Sequence, residues 1–428
     1  MQVPGQSSPA LQPPPGQDRF PALSGLRGVA VLGVVFCHAS ALQWETTWWG
    51  PFAYLAGSTV FIFFALSGFL LYRPFVSRRS KGVPAPPLGM YFRRRLLRIV
   101  PAYWFALTLC ALLFGFTVFN ENWWVYYGFL QIYELRWQGL GGLPHVWTLC
   151  IEMSFYVFLP AFAWVAGRYV ARRSGSWVRA EFTAVGALIA LSLTARAIGT
   201  LGWLPWLTFG LLPGLIDFFA IGMLFAVLSV ALDRGAVPDR WQRRLRRAVV
   251  PAWFLAAACF VTSALVWGPS SGSSWMIPLE GRNHSDLVAI GIELGHRLLL
   301  MALALSLILP ALLSSRGGVL VRLLGARPLV AAGAVSYGIY LWHWPLQRWW
   351  SDQARDAGIS VLGNSTLTVL CVGLPITLLA ASISYRVVEL PFLKRKEAVR
   401  RAAPTPAPTP AHTPAQPPAE PQPATSSA

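Results

Sequence analysis

The sequence predicts an all-α polytopic membrane protein of about ten transmembrane helices with both termini cytoplasmic. Of its 428 residues, 55% are hydrophobic and only 12% are charged, which is about half the charged fraction of a typical soluble domain. Apolar runs of roughly 18–22 residues recur from one end to the other, and a helix of that length crosses a bilayer. A bundle of membrane helices, and not a set of soluble domains, is therefore expected.

A membrane domain, residues 20–396, lies between two polar tails. Residues 1–19 are rich in Pro, Gln and Ser, and residues 397–428 in Pro, Ala and Thr, so both tails are predicted to be disordered. The first apolar run is interpreted as a retained helix, because it has neither the basic segment nor the cleavage site of a signal peptide. The predicted spans are 22–43, 52–72, 97–118, 147–167, 181–200, 211–232, 249–267, 288–313, 328–349 and 364–388.

Two connecting segments have distinctive compositions. Asn122–Tyr133 is rich in Trp and Tyr and too short to cross, so it is predicted to lie at the membrane interface. The loop 268–287 is polar and is a candidate contact for an acceptor substrate.

The basic charge has a topological explanation. The net charge of +18 is compatible with nucleic-acid binding, but a cytoplasmic N-terminus places 29 of the 35 Lys and Arg residues on the cytoplasmic side. The remaining six are Arg136, Arg196, Arg282, Arg297, Arg348 and Arg355. No nucleic-acid partner is therefore expected. The five cysteines show no CxxC spacing, so neither a disulfide framework nor a metal site is expected.

The first span carries two residues that are rare inside a bilayer, Arg27 and His38. They are eleven residues apart, so on a helix they point to the same side, about 16 Å from each other along the axis. Ionisable groups in a membrane are costly and are candidates for function. The alternative is that Arg27 anchors the helix at the surface and His38 is a packed, hydrogen-bonded side chain.

A dense basic cluster precedes the third span. Arg94, Arg95 and Arg98 lie at i, i+1 and i+4 and can share one side of a helix. Guanidinium groups are well suited to phosphate, which favours a phosphate-bearing ligand from the cytoplasm. The alternative is a topological signal or contact with anionic lipid headgroups.

Glu152 lies about one and a half turns into the fourth span, among apolar residues. A buried carboxylate needs a partner, and His38, at a comparable depth, is the partner we predict. Such a carboxylate would orient the imidazole and make it a better general base. The alternative is a structural bond from Glu152 to an arginine or a tyrosine.

The last two spans contribute weaker signals. Polar groups with aromatic neighbours lie on the ninth span, namely Ser336, Tyr337, Tyr340 and His343. Of these, His343 is expected to act mainly as an anchor near the outer interface. Arg386 and Glu389, near the cytoplasmic end of the tenth span, are expected to form an ion pair with each other.

These features together resemble the membrane acyltransferase 3 family, whose members include bacterial O-antigen and macrolide acylases. The stretches that carry the resemblance are Arg27-x10-His38, FFALSGFL (Phe63–Leu70), RRRLLRIVPAYW, WTLCIEMSFY (Trp147–Tyr156), SYGIYLWHWP (Ser336–Pro345) and SYRVVELPF (Ser384–Phe392). They occur in the family's order and spacing and cover roughly residues 20–396.

The resemblance implies transfer of an acyl group, often acetyl, from cytoplasmic acyl-CoA to a hydroxyl, usually on a sugar. It implies His38 and Glu152 as catalytic residues. The residues implied for the donor are Arg27, Arg95 and Arg98, with Arg94 a weaker match. The candidate substrate-lining residues are Tyr103, Trp147, Tyr156, Ser336, Tyr337 and His343. No permanently bound cofactor and no metal are expected.

Composition leaves the acceptor open. The content of Ala, Arg, Gly and Pro is typical of a GC-rich bacterium, which makes a cell-envelope glycan, a glycolipid or a glycosylated metabolite reasonable acceptors at the plasma membrane. The main rival interpretation is a transporter or flippase that uses the intramembrane His, Glu and Arg as a substrate or proton path. A regulatory protein with decayed motifs is a weaker rival.

Overall fold

The computed structural model describes residues 20–42, 49–115, 118–119, 122–133, 143–201, 203–204, 211–267, 287–313, 318–392 and 394. These residues form α-helices with short 3-10 and π turns and contain no β-strand, so the predicted all-α class is confirmed. The helices are α1 (Pro21–Ala41), α2 (Gly50–Gly57), α3 (Val60–Arg79), α4 (Leu88–Phe114), α5 (Trp123–Tyr127), α6 (Trp147–Ala171), α7 (Trp177–Thr200), α8 (Ile216–Asp233), α9 (Asp239–Arg247), α10 (Val249–Trp267), α11 (Leu287–Leu313), α12 (Val319–Leu324), α13 (Arg327–Ala334), α14 (Ser336–Asp356) and α15 (Ser365–Ser384).

Within the described residues, nine helical segments are long and apolar enough to cross a membrane. They are Pro21–Ala41, Gly50–Arg79, Leu88–Phe114, Pro144–Ala171, Trp177–Thr200, Ile216–Asp233, Val249–Val266, Leu294–Leu313 and Ser365–Phe392. The predicted multi-pass architecture is confirmed, with shifted boundaries. The helix of the third predicted span, α4, begins at Leu88 and not at residue 97, so the basic cluster lies inside it.

The helix α14 is not one of these nine segments, because its second half carries Gln, Arg and Asp side chains and is too polar. Its position is nevertheless that of a membrane span. Ser336 near its start lies against Arg27, and His343 lies against His38. These contacts advance in the same direction along both helices, so α14 runs parallel to α1 through the same depth. Together with α13 it occupies the place of the predicted span 328–349.

Glycine lets α3 and α8 cross with their backbones in contact. An added Cβ at Gly222 would lie 1.6 Å from the carbonyl oxygen of Ala65, and one at Gly68 would lie 2.0 Å from that of Phe219. No larger residue fits at either position unless the helices move apart. The crossing therefore fixes the position of Ser67, the residue before Gly68.

The crossing of α1 with α13 is equally close. A Cβ at Gly28 would lie 2.3 Å from a carbonyl oxygen of α13, and one at Gly333 would lie 1.9 Å from one of α1. Gly28 follows Arg27 directly and Gly333 lies three residues before Ser336. This contact therefore brings those two polar side chains together.

Buried ion pairs connect other helices. Arg297 of α11 donates from Nε to Oδ2 of Asp217 on α8 at 2.6 Å, and both side chains are buried. Arg79 of α3 pairs with the buried Glu181 of α7, which also accepts a hydrogen bond of 2.6 Å from the Tyr72 hydroxyl. Because each charge has a partner, these pairs satisfy groups that would otherwise be expensive inside a bilayer.

Several predicted segments lie wholly or largely outside the described residues. They are residues 1–19, the loop 268–287 except residue 287, and all of residues 397–428. In the Trp- and Tyr-rich segment, α5 is only five residues long, in agreement with a stretch too short to cross.

Candidate active site

A cavity opens between α1, α3, α4, α6 and α14. Its lining residues are Arg27, Val60, Phe63, Phe64, Leu66, Ser67, Leu70, Leu71, Arg95, Arg98, Ile99, Thr148, Leu149, Glu152, Tyr156, Ser336, Tyr337 and Tyr340. Apolar side chains form most of the wall, with three guanidinium groups and one carboxylate among them. This combination is typical of a binding site, where a few polar groups orient a ligand within an apolar pocket.

Arg27 enters the cavity from α1. Its Nη2 donates to the Ser336 hydroxyl at 3.2 Å, and that hydroxyl donates to the carbonyl of Gly333 at 2.9 Å. The guanidinium also lies 6.0 Å from the centre of the Phe63 ring. These contacts hold the Arg27 side chain inside the protein, so it does not act as a surface anchor.

Glu152 faces the arginines across the cavity. The hydroxyl of Ser67 donates to its Oε1 at 2.5 Å, and the Tyr156 hydroxyl lies 3.4 Å from its Oε2. The three guanidinium groups of the cavity all interact with it electrostatically. The carboxylate is therefore held by two hydroxyl groups and balanced by three positive charges.

The basic cluster of α4 is divided between the cavity and the surface. Arg95 and Arg98 line the cavity, whereas Arg94 does not and Arg93 is exposed. The Nε of Arg95 is buried and, among the described residues, has no hydrogen-bond partner. A buried donor without an acceptor indicates a group that an anionic ligand would satisfy.

Tyr340 and Thr148 form one end of the cavity. The Tyr340 hydroxyl donates to the backbone carbonyl of His145, and the Thr148 hydroxyl lies 2.6 Å from it. The Tyr340 ring centre also lies 5.1 Å from that of His145 and 5.9 Å from that of His343. A single tyrosine thus separates the cavity from a group of three histidines.

The three histidines, His38, His145 and His343, form what we call the histidine cluster. Nδ1 of His38 and Nε2 of His343 are 3.0 Å apart. The ring centre of His145 lies 4.8 Å from that of His343 and 6.4 Å from that of His38. Even so, the described residues contain no group of three or more His, Cys, Asp or Glu side chains arranged to hold a metal ion.

The predicted pairing of Glu152 with His38 is wrong. Glu152 bonds to Ser67 and Tyr156, and His38 bonds to His343. The reason is depth, because α6 runs antiparallel to α1 and the 3-10 turn before it, which contains His145, already lies at the level of His38. Glu152 is seven residues beyond His145, about 10 Å further along the helix, at the level of Arg27.

Two other predicted positions are also corrected. His343 is not an interface anchor, because its side chain is 0% exposed and packs against His38. Glu389 is 7% exposed and forms no ion pair with the exposed Arg386. Its electrostatic partners are instead Arg98 and Arg27.

The remaining predicted lining residues fall into two groups. Tyr156, Ser336 and Tyr337 line the cavity. Tyr103 does not, because it is fully buried and its hydroxyl donates to the carbonyl of Tyr126 at 2.8 Å. Trp147 packs against Phe64, with 6.4 Å between ring centres, and is not part of the lining.

Sequence reasoning did not select three polar residues at the site, namely Ser67, Thr148 and His145, and it named Tyr340 only as a polar residue of its span. The three that it missed lie within or beside the stretches that carry the family resemblance. A polar side chain on an apolar span was the available signal. Sequence alone did not show which of these side chains faces the interior of the bundle.

Comparison with known proteins identifies the family of the chain. The acyltransferase 3 family, described as an acyltransferase domain, matches residues 20–386. The chain belongs to this family. It is thus a multi-pass membrane acyltransferase, and the predicted enzyme class is confirmed.

The curated relatives of this acyltransferase carry related names. The chain is 23% identical to the peptidoglycan O-acetyltransferase OatA of Listeria monocytogenes over 87% of its own length and 56% of that protein. It is 22% identical to the O-acetyltransferase OatA of Staphylococcus aureus NCTC 8325, over 88% and 57% of the two lengths. It is 24% identical to a putative O-acetyltransferase of S. aureus COL, over 89% and 58%.

The chain therefore spans a little over half the length of these relatives. No solved structure matches the chain.

Proposed function

We propose that this acyltransferase moves an acetyl or other short acyl group from cytoplasmic acyl-CoA to a hydroxyl of a sugar-containing acceptor. The observation that carries the proposal is that the cavity lies next to the histidine cluster. A cavity with Arg27, Arg95 and Arg98 in its wall ends at Tyr340, whose ring contacts the histidine cluster.

The charge pattern supports CoA as the donor. CoA carries several phosphate groups, and arginine binds phosphate through paired, charge-assisted hydrogen bonds. Arg95 and Arg98 lie in the part of α4 that the distribution of basic residues assigns to the cytoplasmic side. The flexible arm of CoA would then extend through the cavity toward His38, about 16 Å from the level of Arg27.

The chemistry requires a base for the acceptor hydroxyl. In the proposed step, His38 takes the hydroxyl proton as the oxygen attacks the thioester carbonyl, a carbon–oxygen bond forms, and the carbon–sulfur bond breaks. The proton returns from His38 to the leaving sulfur, which departs as free CoA. The second route passes through a transient acyl-histidine, with the thiol released before the acceptor reacts.

Glu152 takes a different role from the one that sequence predicted. Bonded to Ser67 and Tyr156 and facing Arg27 and Arg98, it would hold those guanidinium groups in place and offset their mutual repulsion. We propose it as a residue that organises donor binding, because it makes no hydrogen bond to the histidine cluster.

The names of the relatives support the acceptor class. One of them is called a peptidoglycan O-acetyltransferase, which favours acetyl as the group and an envelope glycan as the acceptor. The plasma membrane is the corresponding location. We also propose that both termini are cytoplasmic. The placement of the basic residues supports this orientation, and α14 as a tenth crossing makes the number of crossings even, which puts both termini on one side.

The test of the donor compares arginines of one helix. The purified full chain is supplied with acetyl-CoA and longer acyl-CoAs plus envelope glycan, and free thiol is measured. Arg98→Gln should raise the KM for acyl-CoA at least tenfold, whereas Arg93→Gln, at an exposed position of α4, should not. A small acetyl thioester that lacks phosphates should react equally well with both variants.

Three outcomes separate the alternatives. Equal KM values for Arg98→Gln and Arg93→Gln would refute phosphate recognition by the cavity arginines. A burst of thiol without acceptor would identify the acyl-histidine route. An absence of thiol release with every donor, with retained sugar or lipid binding, would favour a transporter.

A further inference from the structure

We propose that His343 is a positioning residue that fixes the tautomer of His38 and leaves Nε2 of His38 as the basic nitrogen. The inference rests on the proposed function, in which His38 accepts the proton of the acceptor hydroxyl. It assigns to a histidine the orienting task that sequence assigned to Glu152.

The first step concerns His343 itself. Its Nδ1 lies 2.7 Å from the backbone carbonyl oxygen of Tyr340 and 3.3 Å from that of Ile339. A carbonyl oxygen only accepts hydrogen bonds, so Nδ1 must carry a hydrogen. A neutral imidazole has one N–H group, and a side chain that is 0% exposed inside a membrane protein is expected to be neutral. Nε2 of His343 is therefore an acceptor.

The second step transfers this constraint to His38. Nε2 of His343 is 3.0 Å from Nδ1 of His38. Two lone pairs at that distance would repel each other, so Nδ1 of His38 must be the donor. Because a neutral imidazole has only one N–H group, Nε2 of His38 then carries no hydrogen and can accept a proton.

The third step concerns the reaction. When Nε2 of His38 takes a proton, the ring becomes an imidazolium, and its Nδ1–H bond to His343 becomes charge-assisted and stronger. The hydrogen bond thus stabilises the transition state more than the resting enzyme, and such a difference in stabilisation accelerates a reaction. A neutral partner also avoids burying a permanent charge beside His38 in the absence of substrate.

The matched variants are His343→Gln and His343→Leu. The Gln side chain can present Oε1 near the position of Nε2 and accept from His38, but it cannot take a proton. We expect kcat to fall about 10³-fold in His343→Leu, within the roughly 10²–10⁴ range of general-base catalysis, with the KM for acyl-CoA unchanged. His343→Gln should recover kcat to within about tenfold of the wild type.

A direct readout of the tautomer does not depend on turnover. Histidine labelled with ¹⁵N gives six residues to resolve, and the signals of His38 and His343 are assigned by substitution. The wild type should show His38 protonated at Nδ1, and His343→Leu should shift it toward the Nε2–H form. Trp349→Phe, an exposed change on the same helix, serves as the control for both readouts.

The outcomes distinguish the two proposals. His38 protonated at Nε2 in the wild type, kcat of His343→Leu within about threefold of the wild type, or a Gln variant as slow as the Leu variant would each overturn the role of His343. Full activity of His38→Ala would instead overturn His38 as the base, whatever the tautomer, and a wild type that transfers no acyl group would overturn the proposed function. Thermal unfolding of each variant confirms that the protein measured is folded.

Discussion

Gly222→Ala tests the packing that positions the site. The added Cβ would lie 1.6 Å from the carbonyl oxygen of Ala65 and 2.7 Å from the backbone nitrogen of Phe69. Real Cβ atoms essentially never come within 3.0 Å of such atoms. To bring the contact with the Ala65 oxygen from 1.6 Å to that limit, α3 and α8 would have to move apart by at least about 1.4 Å.

The magnitude follows from the kind of obstacle. Overpacking typically costs about 1–3 kcal/mol, and here the added methyl meets backbone, which cannot swing aside. We therefore expect a loss of about 3 kcal/mol in the free energy of unfolding. Because Ser67 lies on α3 beside the crossing and donates to Glu152, turnover should also fall at temperatures where the variant is still folded.

The assay is unfolding in detergent, followed by the fluorescence of the 20 tryptophans during heating and during titration with a denaturing detergent. Gly186→Ala is the matched control, since a Cβ there meets nothing within 4 Å. Alanine is favoured over glycine in a helix by about 1 kcal/mol, so this variant should be at least as stable as the wild type. Equal stability of the two variants would refute the close crossing.

Two other predictions concern single side chains. Asp217→Ala should lower the free energy of unfolding by about 3–5 kcal/mol, because it leaves Arg297 as a buried charge without its carboxylate. A free energy of unfolding equal to that of the wild type would contradict the buried pair. Ser67→Ala should raise the KM for acyl-CoA several-fold with little loss of stability, since one of the hydroxyl donors to Glu152 is removed; steady-state kinetics measure it, and an unchanged KM would show that the bond does not organise the donor site.

Much of the architecture could be predicted because bilayer thickness fixes helix length. The apolar runs predicted the number and order of most spans. The exception is α14, whose composition is not that of a membrane span. The second half of α14 is polar, and the polar side chains of its first half include Ser336 and His343, which contact Arg27 and His38. A helix that carries part of a buried site is the one whose composition least resembles that of a membrane span.

Some polar residues of the cavity stand out in the sequence, but the contacts between them do not. Helical periodicity places Arg27 and His38 on one side of α1, and the structure agrees with Arg27 inside the bundle. Periodicity does not give the relative depth of neighbouring helices. An error of about 10 Å in the depth of Glu152 along α6 was therefore enough to pair it with His38. The residue that lies beside His38 is His343.

The most direct test of a reaction centred on the histidine cluster is transfer of labelled acetyl from acetyl-CoA to envelope glycan by the wild type and by His38→Ala. The wild type should release thiol and transfer label in equal amounts, and a folded His38→Ala protein should lose both by at least about 10²-fold. Transfer by His38→Ala at the rate of the wild type would contradict a reaction centred on the histidine cluster.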